Sequence, residues 1–162
     1  MKKYEKLFIA KTDTVVGIGG PVEPEVEKEI FELKGRPKNK PLIIMVNSIK
    51  EAKKFDGWNE NAEKIAKKFW PGQVTIVLSK VAIRIPNSKE LLDLINKIGP
   101  IYMTSANKSE KPTLDFKKAV AEFPEIKKYY SKTKGSDVIS TIIRAKDLKI
   151  LRQGIIYFKG DL

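Results

Sequence analysis

The chain has 162 residues, a formal net charge of +12, and 41% hydrophobic against 32% charged residues, which is typical of one folded domain and excludes an intrinsically disordered protein. It contains neither cysteine nor histidine, so disulfide scaffolds, thiolate zinc sites, cysteine nucleophiles and serine–histidine–aspartate triads are excluded. No apolar run has the length of a membrane span and no signal peptide is visible, so we expect a cytoplasmic protein with no membrane partner.

In the first half of the chain, short apolar runs alternate with helical patterns. The predicted elements are a strand at 7–10, a loop of small residues at 11–20, a helix at 24–33, a strand at 42–46, and helices at 48–55 and 61–70. Ser48 is the expected N-cap of the second helix, and Pro71-Gly72 ends the third. Trp70, just before that stop, is expected to bury its indole ring.

The second half continues this alternation. Strands at 74–78 and 81–85 are separated by two residues, which is the spacing of a hairpin. They are followed by a helix at 89–98, a strand at 101–103, a helix at 115–123, and strands at 138–143 and 155–158. The segment 127–135 (KKYYSKTKG) is predicted to be a mobile basic loop. The pattern predicts a single α/β domain over residues 1–162 around a mixed sheet.

Polar residues cluster near three of the predicted strands. The clusters are Thr12-Asp13-Thr14, Thr104-Ser105-Ala106-Asn107 and Ser140-Thr141. Open α/β sheets bind ligands at the carboxyl ends of their strands, where hydroxyl and amide groups can hold a carboxylate or a phosphate. Asp13 is the only carboxylate in these clusters. It is a candidate magnesium ligand, and capping of the adjacent turn explains it at least as well.

Arginine is rare in this lysine-rich chain, so its positions are informative. The four arginines among 32 basic residues are Arg36, Arg84, Arg144 and Arg152. Three of them lie in the short motifs KGRP, AIRIP and LRQG, and Arg84 interrupts an apolar strand, which favours a ligand-facing cation. Arg144 has no motif around it and is predicted to lie at the surface. Since a guanidinium binds phosphates and carboxylates bidentately, the three motifs predict a site for a polyanion.

The segment around Arg36 is the strongest candidate for phosphate binding. Lys34, Arg36 and Lys40 are predicted to converge on a triphosphate from a rigid turn. The segment is not a Walker A loop, because no GK[ST] follows its glycine. A dinucleotide fingerprint is excluded at Gly17-Ile18-Gly19-Gly20, because Val22 stands where the third glycine is required.

Seven motifs occur in a single order over nearly the whole chain. They are TDTVVGIG at 12–19, FELKGRPKNKPLII at 31–44, WPGQVTIVL at 70–78, VAIRIP at 81–86, TSAN at 104–107, STI at 140–142 and LRQG at 151–154. Together they resemble the YrdC-like family, the threonylcarbamoyl-AMP synthases. The combination of KGRPKNKPL with SAN is specific enough to make chance a poor explanation.

This resemblance implies a twisted mixed α/β sheet, flanked by helices, with a positively charged concave cavity. It implies a nucleotidyltransferase that combines L-threonine, bicarbonate and ATP, with Mg²⁺, into threonylcarbamoyl-AMP and pyrophosphate. The product would pass to a threonylcarbamoyl transferase that modifies tRNA beside the anticodon.

The resemblance also implies roles for individual residues. ATP or the adenylate would be contacted by Lys34, Arg36, Lys40, Ser105, Asn107, Thr113 and Arg152. The threonine moiety would be held by Thr14, Arg84 and Ser140. Lys34 and Arg36 are the implied catalytic residues, because they would neutralise the charge that develops on the phosphates.

The chain departs from the family's usual pattern near the expected substrates. Val16 stands where tyrosine is usual, and Met45 stands where many relatives carry histidine. The loop at 108–112 lacks a usual glycine. The phosphate-binding set is intact, so the resemblance predicts an active enzyme.

Two alternatives remain open at this point. The first is an RNA-binding module without catalysis, which the net charge and the segment 127–134, with Tyr129 and Tyr130 available for stacking, would suit. The second is another carbamoyl-adenylate-forming enzyme, because the same fold serves carbamoyl transfer in hydrogenase maturation proteins. Those proteins carry further domains and cysteine-rich fingers that this chain lacks.

Overall fold

A single twisted sheet runs through the computed structural model, which describes residues 2–37 and 42–162. The elements in those ranges are β1 (Phe8–Ala10), β2 (Gly17–Pro21), α1 (Pro24–Lys34), β3 (Ile43–Met45), α2 (Ile49–Ala52), α3 (Glu60–Phe69), β4 (Val74–Val77), β5 (Ala82–Arg84), α4 (Lys89–Ile98), β6 (Ile101–Ser105), α5 (Phe116–Glu122), β7 (Lys128–Tyr130), β8 (Thr141–Arg144) and β9 (Ile150–Arg152). The predicted contact at Lys40 lies outside the described residues.

The sheet is mixed, as predicted. Its described strands follow the order β7-β1-β2-β6-β3-β5-β4-β8-β9. The pairs β1–β7, β3–β5 and β4–β8 are parallel, and the other neighbours are antiparallel. The predicted pairing of the strands at 74–78 and 81–85 is confirmed by the antiparallel pair β4–β5.

Local capping explains where the helices begin. Ser48, Asn59, Ser88 and Asp115 each accept a hydrogen bond from a backbone N–H three residues on, at the starts of α2, α3, α4 and α5. The first helix, α1, starts instead with proline in its first turn and ends at Gly35, whose φ of 63° is left-handed. None of the helices within the described ranges combines the length and the apolarity needed to cross a membrane.

Helices cover both faces of the sheet. On one face, α1 and α5 pack on Ile9 and Ile18, and α3 packs on Ile76 and Ile83. On the other face, α4 packs its leucine stripe against a cluster that includes Met45. Because α4 covers only part of that face, the sheet there can also line a cavity.

A strand at Gly17–Pro21 was not predicted, since residues 11–20 were expected to form a loop. Here β2 lies between β1 and β6, paired antiparallel with both. The sequence did not predict β2 as a strand because glycine is uncommon in strands. Close packing requires its glycines: a Cβ on Gly19 would lie 2.6 Å from the Tyr102 carbonyl oxygen and 2.7 Å from the Phe8 ring.

This crowding predicts that Gly19→Ala destabilises the fold by about 1–3 kcal/mol, because the strand or the Phe8 ring must move to admit the methyl group. Urea denaturation measures the change in the free energy of unfolding. Ser131→Ala, at an exposed position, is the control and should stay within about 0.5 kcal/mol of wild type. Equal stability of the two variants would contradict the packing argument.

The loop predicted at 127–135 is wrong for its first part, while residues 131–135 lie outside any helix or strand. Residues Lys128–Tyr130 form β7, which pairs with β1 at the edge of the sheet. Beyond β7, the Thr133 and Ser88 hydroxyls are hydrogen-bonded to each other, and the Lys132 amide donates to Glu90 at 3.0 Å. The two tyrosines favour a strand, but the lysines around them are more typical of a solvated loop, so the strand was not predicted.

The last predicted strand is also misplaced. The strand paired with β8 is β9 (Ile150–Arg152), and residues 155–158 lie outside any strand. Phe158 is buried against α3, where its ring meets Phe69 edge-on at 6.2 Å. Phe158 and the partly buried Ile156 pack on the core, whereas Ile155 and Tyr157 are exposed, so the apolar run reflects packing at two of its positions and no sheet pairing.

Candidate active site

The three arginine motifs, KGRP, AIRIP and LRQG, meet at one cavity of about 340 Å³ on the α4 face of the sheet. Its polar lining consists of Thr12, Thr14, Arg36, Arg84, Thr104, Ser105, Ser140 and Arg152. We call it the arginine cavity. It brings together the predicted threonine contacts and several of the predicted ATP contacts. Trp70 and Arg144 lie elsewhere. Trp70 is buried in the core, as predicted. Arg144 is partly exposed at the surface, as predicted, and pairs with Asp147.

The cavity extends across the face of the sheet and is not confined to the ends of neighbouring strands. Ser105 ends β6, whereas Ser140 precedes β8. The chain of pairings makes β6 and β8 run in the same direction, so these two serines belong to opposite ends of the sheet. The expected crevice outside the strand carboxyl ends is therefore wrong, because that rule describes parallel sheets and this sheet is mixed.

Lys34 lies deep beside the cavity, in the last turn of α1. Its Nζ donates to Thr104 Oγ1 at 3.1 Å, to Asn107 Oδ1 at 3.2 Å and to the Ser105 carbonyl. These partners are neutral oxygens, and the side chain is almost fully buried. Burial, with a smaller contribution from the Arg36 charge, lowers the pKa of Lys34 from 10.5 to about 7.

This burial predicts a pH dependence of folding stability. Between pH values of about 7 and 10.5, Lys34 is deprotonated in the folded chain and protonated in the unfolded one. Since the unfolded chain then binds more protons, this group makes the free energy of unfolding rise with pH across that window. Below the window, Lys34 is protonated in both states, and the folded chain bears the full cost of burying an ammonium.

A Lys34→Met variant should lack this contribution. The difference in Tm between wild type and variant is expected to shift in favour of wild type as the pH rises through the same window. Differential scanning calorimetry at a series of pH values measures it. A difference in Tm that does not depend on pH would show that Lys34 keeps its ordinary pKa in the folded chain.

The segment after β6 supports Lys34. The Ser105 hydroxyl donates to Asn107 Oδ1 at 2.7 Å, and the Asn107 amide donates to the Lys111 carbonyl. Thr113, two residues further on, is exposed and does not line the arginine cavity. The structure therefore assembles Lys34, Ser105 and Asn107 but does not bring Thr113 to them.

A buried ion pair lies behind the cavity wall. Arg84 Nη1 lies 2.6 Å from Asp13 Oδ1, and the Asn87 amide donates to Asp13 Oδ2 at 2.9 Å. Both carboxylate oxygens are thus already engaged. The adjacent turn is closed by Thr12, whose hydroxyl accepts from the Thr14 amide at 3.0 Å and donates to the Val15 carbonyl.

The third arginine is tied to Ser140. Arg152 Nε donates to the Ser140 carbonyl and its Nη2 donates to Ser140 Oγ, both at 3.0 Å. Burial lowers the pKa of Arg152, and the charges of Arg84 and Arg36 add to the effect, which places three cations within electrostatic reach of one another.

Thr75 contacts a residue of the cavity wall and was not identified from the sequence. Its buried hydroxyl lies 2.9 Å from Ser140 Oγ. It sits in β4 between Val74 and Ile76, and its strand partner Ile142 lines the cavity. A hydroxyl inside an otherwise apolar buried strand was the available signal.

Two of the three departures from the family pattern, Met45 and Val16, form apolar walls. Met45 lines the arginine cavity and is almost fully buried beside Met103 and Leu91. Val16 lines an adjoining cavity of about 550 Å³, which shares Thr12 and Thr14 with the arginine cavity. Both positions thus contribute packing surface next to polar groups.

Comparison with known proteins agrees with this assembly. The family model Sua5/YciO/YrdC, described as "Telomere recombination", matches residues 2–154. A protein of Pyrococcus abyssi (strain GE5 / Orsay) named threonylcarbamoyl-AMP synthase is 39% identical over 137 residues, which are 72% of this chain and 39% of that protein. A protein of Methanocaldococcus jannaschii named putative threonylcarbamoyl-AMP synthase is 35% identical over 93% of this chain and 81% of its own length.

A solved structure gives the same result. The crystal structure of P. abyssi Sua5 complexed with L-threonine matches with a TM-score of 0.83 and 34% identity, over 92% of this chain and 50% of that one. The chain spans half or less of the length of these Pyrococcus proteins. The motifs, the mixed twisted sheet and these matches agree, and the chain belongs to the Sua5/YciO/YrdC family.

Proposed function

We propose that this chain forms L-threonylcarbamoyl-AMP and pyrophosphate from L-threonine, bicarbonate and ATP. The observation that carries the proposal is the meeting of Arg36, Arg84 and Arg152 at one cavity, in a chain otherwise dominated by lysine. The names of the related proteins and the threonine complex of P. abyssi Sua5 support it. We also expect a positive field in the cavity, because these cations line it.

Threonine is assigned to the Arg84 side of the cavity. Within the described part of the chain, Arg84 Nε is buried and lacks a hydrogen-bond partner. A carboxylate of the substrate would accept from this donor. The hydroxyls of Thr14 and Ser140, which also line the cavity, would accept hydrogen bonds from the rest of the amino acid or donate them to it.

ATP is assigned to the side formed by Arg36, Arg152 and the group around Lys34. An arriving phosphate would give the Lys34 ammonium the anionic partner that its neutral neighbours do not provide. Magnesium enters this proposal as part of the ATP substrate. Among the described residues there is no group of three or more carboxylates that could hold a metal ion, and both oxygens of Asp13 are engaged.

The proposed reaction has two steps and needs no protein nucleophile. The threonine amine attacks carbon dioxide derived from bicarbonate, forms a C–N bond and loses a proton, which gives a carbamate. A carbamate oxygen then attacks the α-phosphorus of ATP in line, the bond to the β-phosphate oxygen breaks, and pyrophosphate leaves. The arginines and Lys34 would hold the two anions together and stabilise the charge that develops on the phosphates.

Pyrophosphate release from ATP tests this proposal. With magnesium and bicarbonate present, release should depend on L-threonine and should fall when bicarbonate is removed. Equal release with and without L-threonine would exclude the proposed synthase.

The two alternatives are not favoured. The rings that the RNA-binding alternative would use for stacking each already contact another ring: Tyr130 meets Phe8 edge-on at 5.0 Å, and the exposed Tyr129 meets Phe116 edge-on at 6.1 Å. The Tyr129 hydroxyl also donates to the Ile126 carbonyl at 3.0 Å. In a filter-binding assay, tight tRNA binding by a chain with no threonine-dependent turnover would reverse this preference.

Transfer of the product to a tRNA-modifying transferase remains part of the proposal.

A further inference from the structure

The Asp13 carboxylate is buried directly behind the cavity wall, where it contacts Arg84 and not the cavity itself. It lies in the loop between β1 and β2, and Arg84 ends β5. Both side chains are at least nine-tenths buried, and their Oδ1 and Nη1 atoms are 2.6 Å apart. The second oxygen, Oδ2, accepts a hydrogen bond from the Asn87 amide, so both carboxylate oxygens are held in place.

These contacts occupy one side of the guanidinium. Nη1 donates to Asp13 Oδ1 and, at 3.1 Å, to the Gly72 carbonyl. Nη2 donates to Thr14 Oγ1 at the longer distance of 3.3 Å, and Nε has no partner among the described residues. Nε and Nη2 share one edge of the guanidinium, and that edge matches the two oxygens of a carboxylate.

We infer that Asp13 is a positioning residue that holds Arg84 by Nη1, so that the Nε–Nη2 edge is presented to the carboxylate of the amino-acid substrate. The inference rests on the proposed function and adds a residue to it. Asp13 also belongs to the same loop as Thr14, so the ion pair sets the position of the Thr14 hydroxyl relative to Arg84.

The sign of one measured effect separates positioning from simple electrostatics. Replacing Asp13 with asparagine removes a negative charge beside a site for a carboxylate, so Coulomb attraction alone predicts tighter binding of L-threonine. Positioning predicts weaker binding, because asparagine offers one acceptor oxygen to the two donors, Arg84 Nη1 and the Asn87 amide, and turns an NH2 group toward the other, so Arg84 is no longer held as in wild type. The nucleotide should bind as in wild type, since within the described residues the Asp13 carboxylate hydrogen-bonds to Arg84 and to the Asn87 amide, and neither residue is assigned to ATP.

Isothermal titration of the whole chain with L-threonine and, separately, with ATP and magnesium makes the test. For Asp13→Asn we expect the Kd for L-threonine to rise by about tenfold or more, in line with the loss of an oriented charged hydrogen bond, and the Kd for ATP to stay within about twofold. Asp93→Asn makes the same chemical change at an exposed ion pair with Lys89 and should leave both constants unchanged. A Kd for L-threonine that is unchanged or lower in Asp13→Asn would overturn the inference.

Asp13→Glu provides a second variant if Asp13→Asn does not fold. It keeps the charge and displaces the carboxylate by one methylene group, so positioning again predicts weaker binding of L-threonine, whereas wild-type affinity in a folded Asp13→Glu protein would overturn it. A wild-type chain that binds no L-threonine would overturn the proposed function and this inference together. Wild-type binding with no effect of either variant would overturn the inference alone.

Discussion

Arg36→Ala is expected to lower threonine-dependent pyrophosphate release by a factor of about 100 or more, which is the scale for loss of one oriented donor to transition-state charge. Arg36 lines the arginine cavity just after the C-cap of α1, and its backbone amide donates to the Phe31 carbonyl at 3.1 Å. The following Pro37 restricts the backbone further. The backbone that carries the Arg36 side chain is therefore fixed beside the cavity, and partial burial lowers the pKa of Arg36.

Steady-state assays of three variants test this expectation. Arg36→Lys keeps the charge without the planar fork and should fall between Arg36→Ala and wild type. Arg144→Ala removes an arginine that pairs with Asp147 outside the arginine cavity, and it should retain wild-type activity. Activity of Arg36→Ala within about threefold of wild type would remove Arg36 from the assigned site.

Arg84→Met is expected to damage both folding and threonine binding. Removing one partner of a buried ion pair costs about 3–5 kcal/mol, because Asp13 keeps a buried charge with no cation beside it. The same change removes the donor assigned to the substrate carboxylate. We expect a large loss of stability in urea denaturation and no measurable affinity for L-threonine.

The double variant Asp13→Asn/Arg84→Met separates these two effects. Neutralising both partners should recover most of the lost stability, because no unpaired charge remains in the core. It should not recover binding of L-threonine. A double variant that binds L-threonine like wild type would contradict the role assigned to Arg84, and one as unstable as Arg84→Met alone would contradict the role of the pair in folding.

The parts of the fold that could be predicted are those with local signals. Ser88 and Gly99 bracket α4 as cap and stop, and the prediction of a helix at 89–98 is confirmed to the residue. The glycine-rich strand β2 and the strand β7, which lies in a lysine-rich segment, were not predicted: β7 pairs with β1 from a distant part of the chain, and β2 lies between the neighbouring β1 and the distant β6. Tertiary pairing overrides weak local propensity in both.

Several residues that line the candidate cavity were named from the sequence, but the contacts between them were not. The motifs correctly indicated that Arg84, Ser105 and Ser140 would share a cavity. They could not show that Asp13 engages Arg84, because residues 71 positions apart have no local signal of contact. For the same reason Thr75 was overlooked, since its partner Ser140 is 65 positions away.

Mass spectrometry of the reaction product tests the proposed function most directly. The chain is incubated with ATP, magnesium, L-threonine and isotopically labelled bicarbonate, and the nucleotide products are separated at once. We predict an adenylate whose mass contains AMP, threonine and one labelled carboxyl carbon, formed in step with pyrophosphate and lost in Arg36→Ala. Pyrophosphate and AMP without that adenylate, or an adenylate without the labelled carbon, would contradict threonylcarbamoyl-AMP synthesis by this chain.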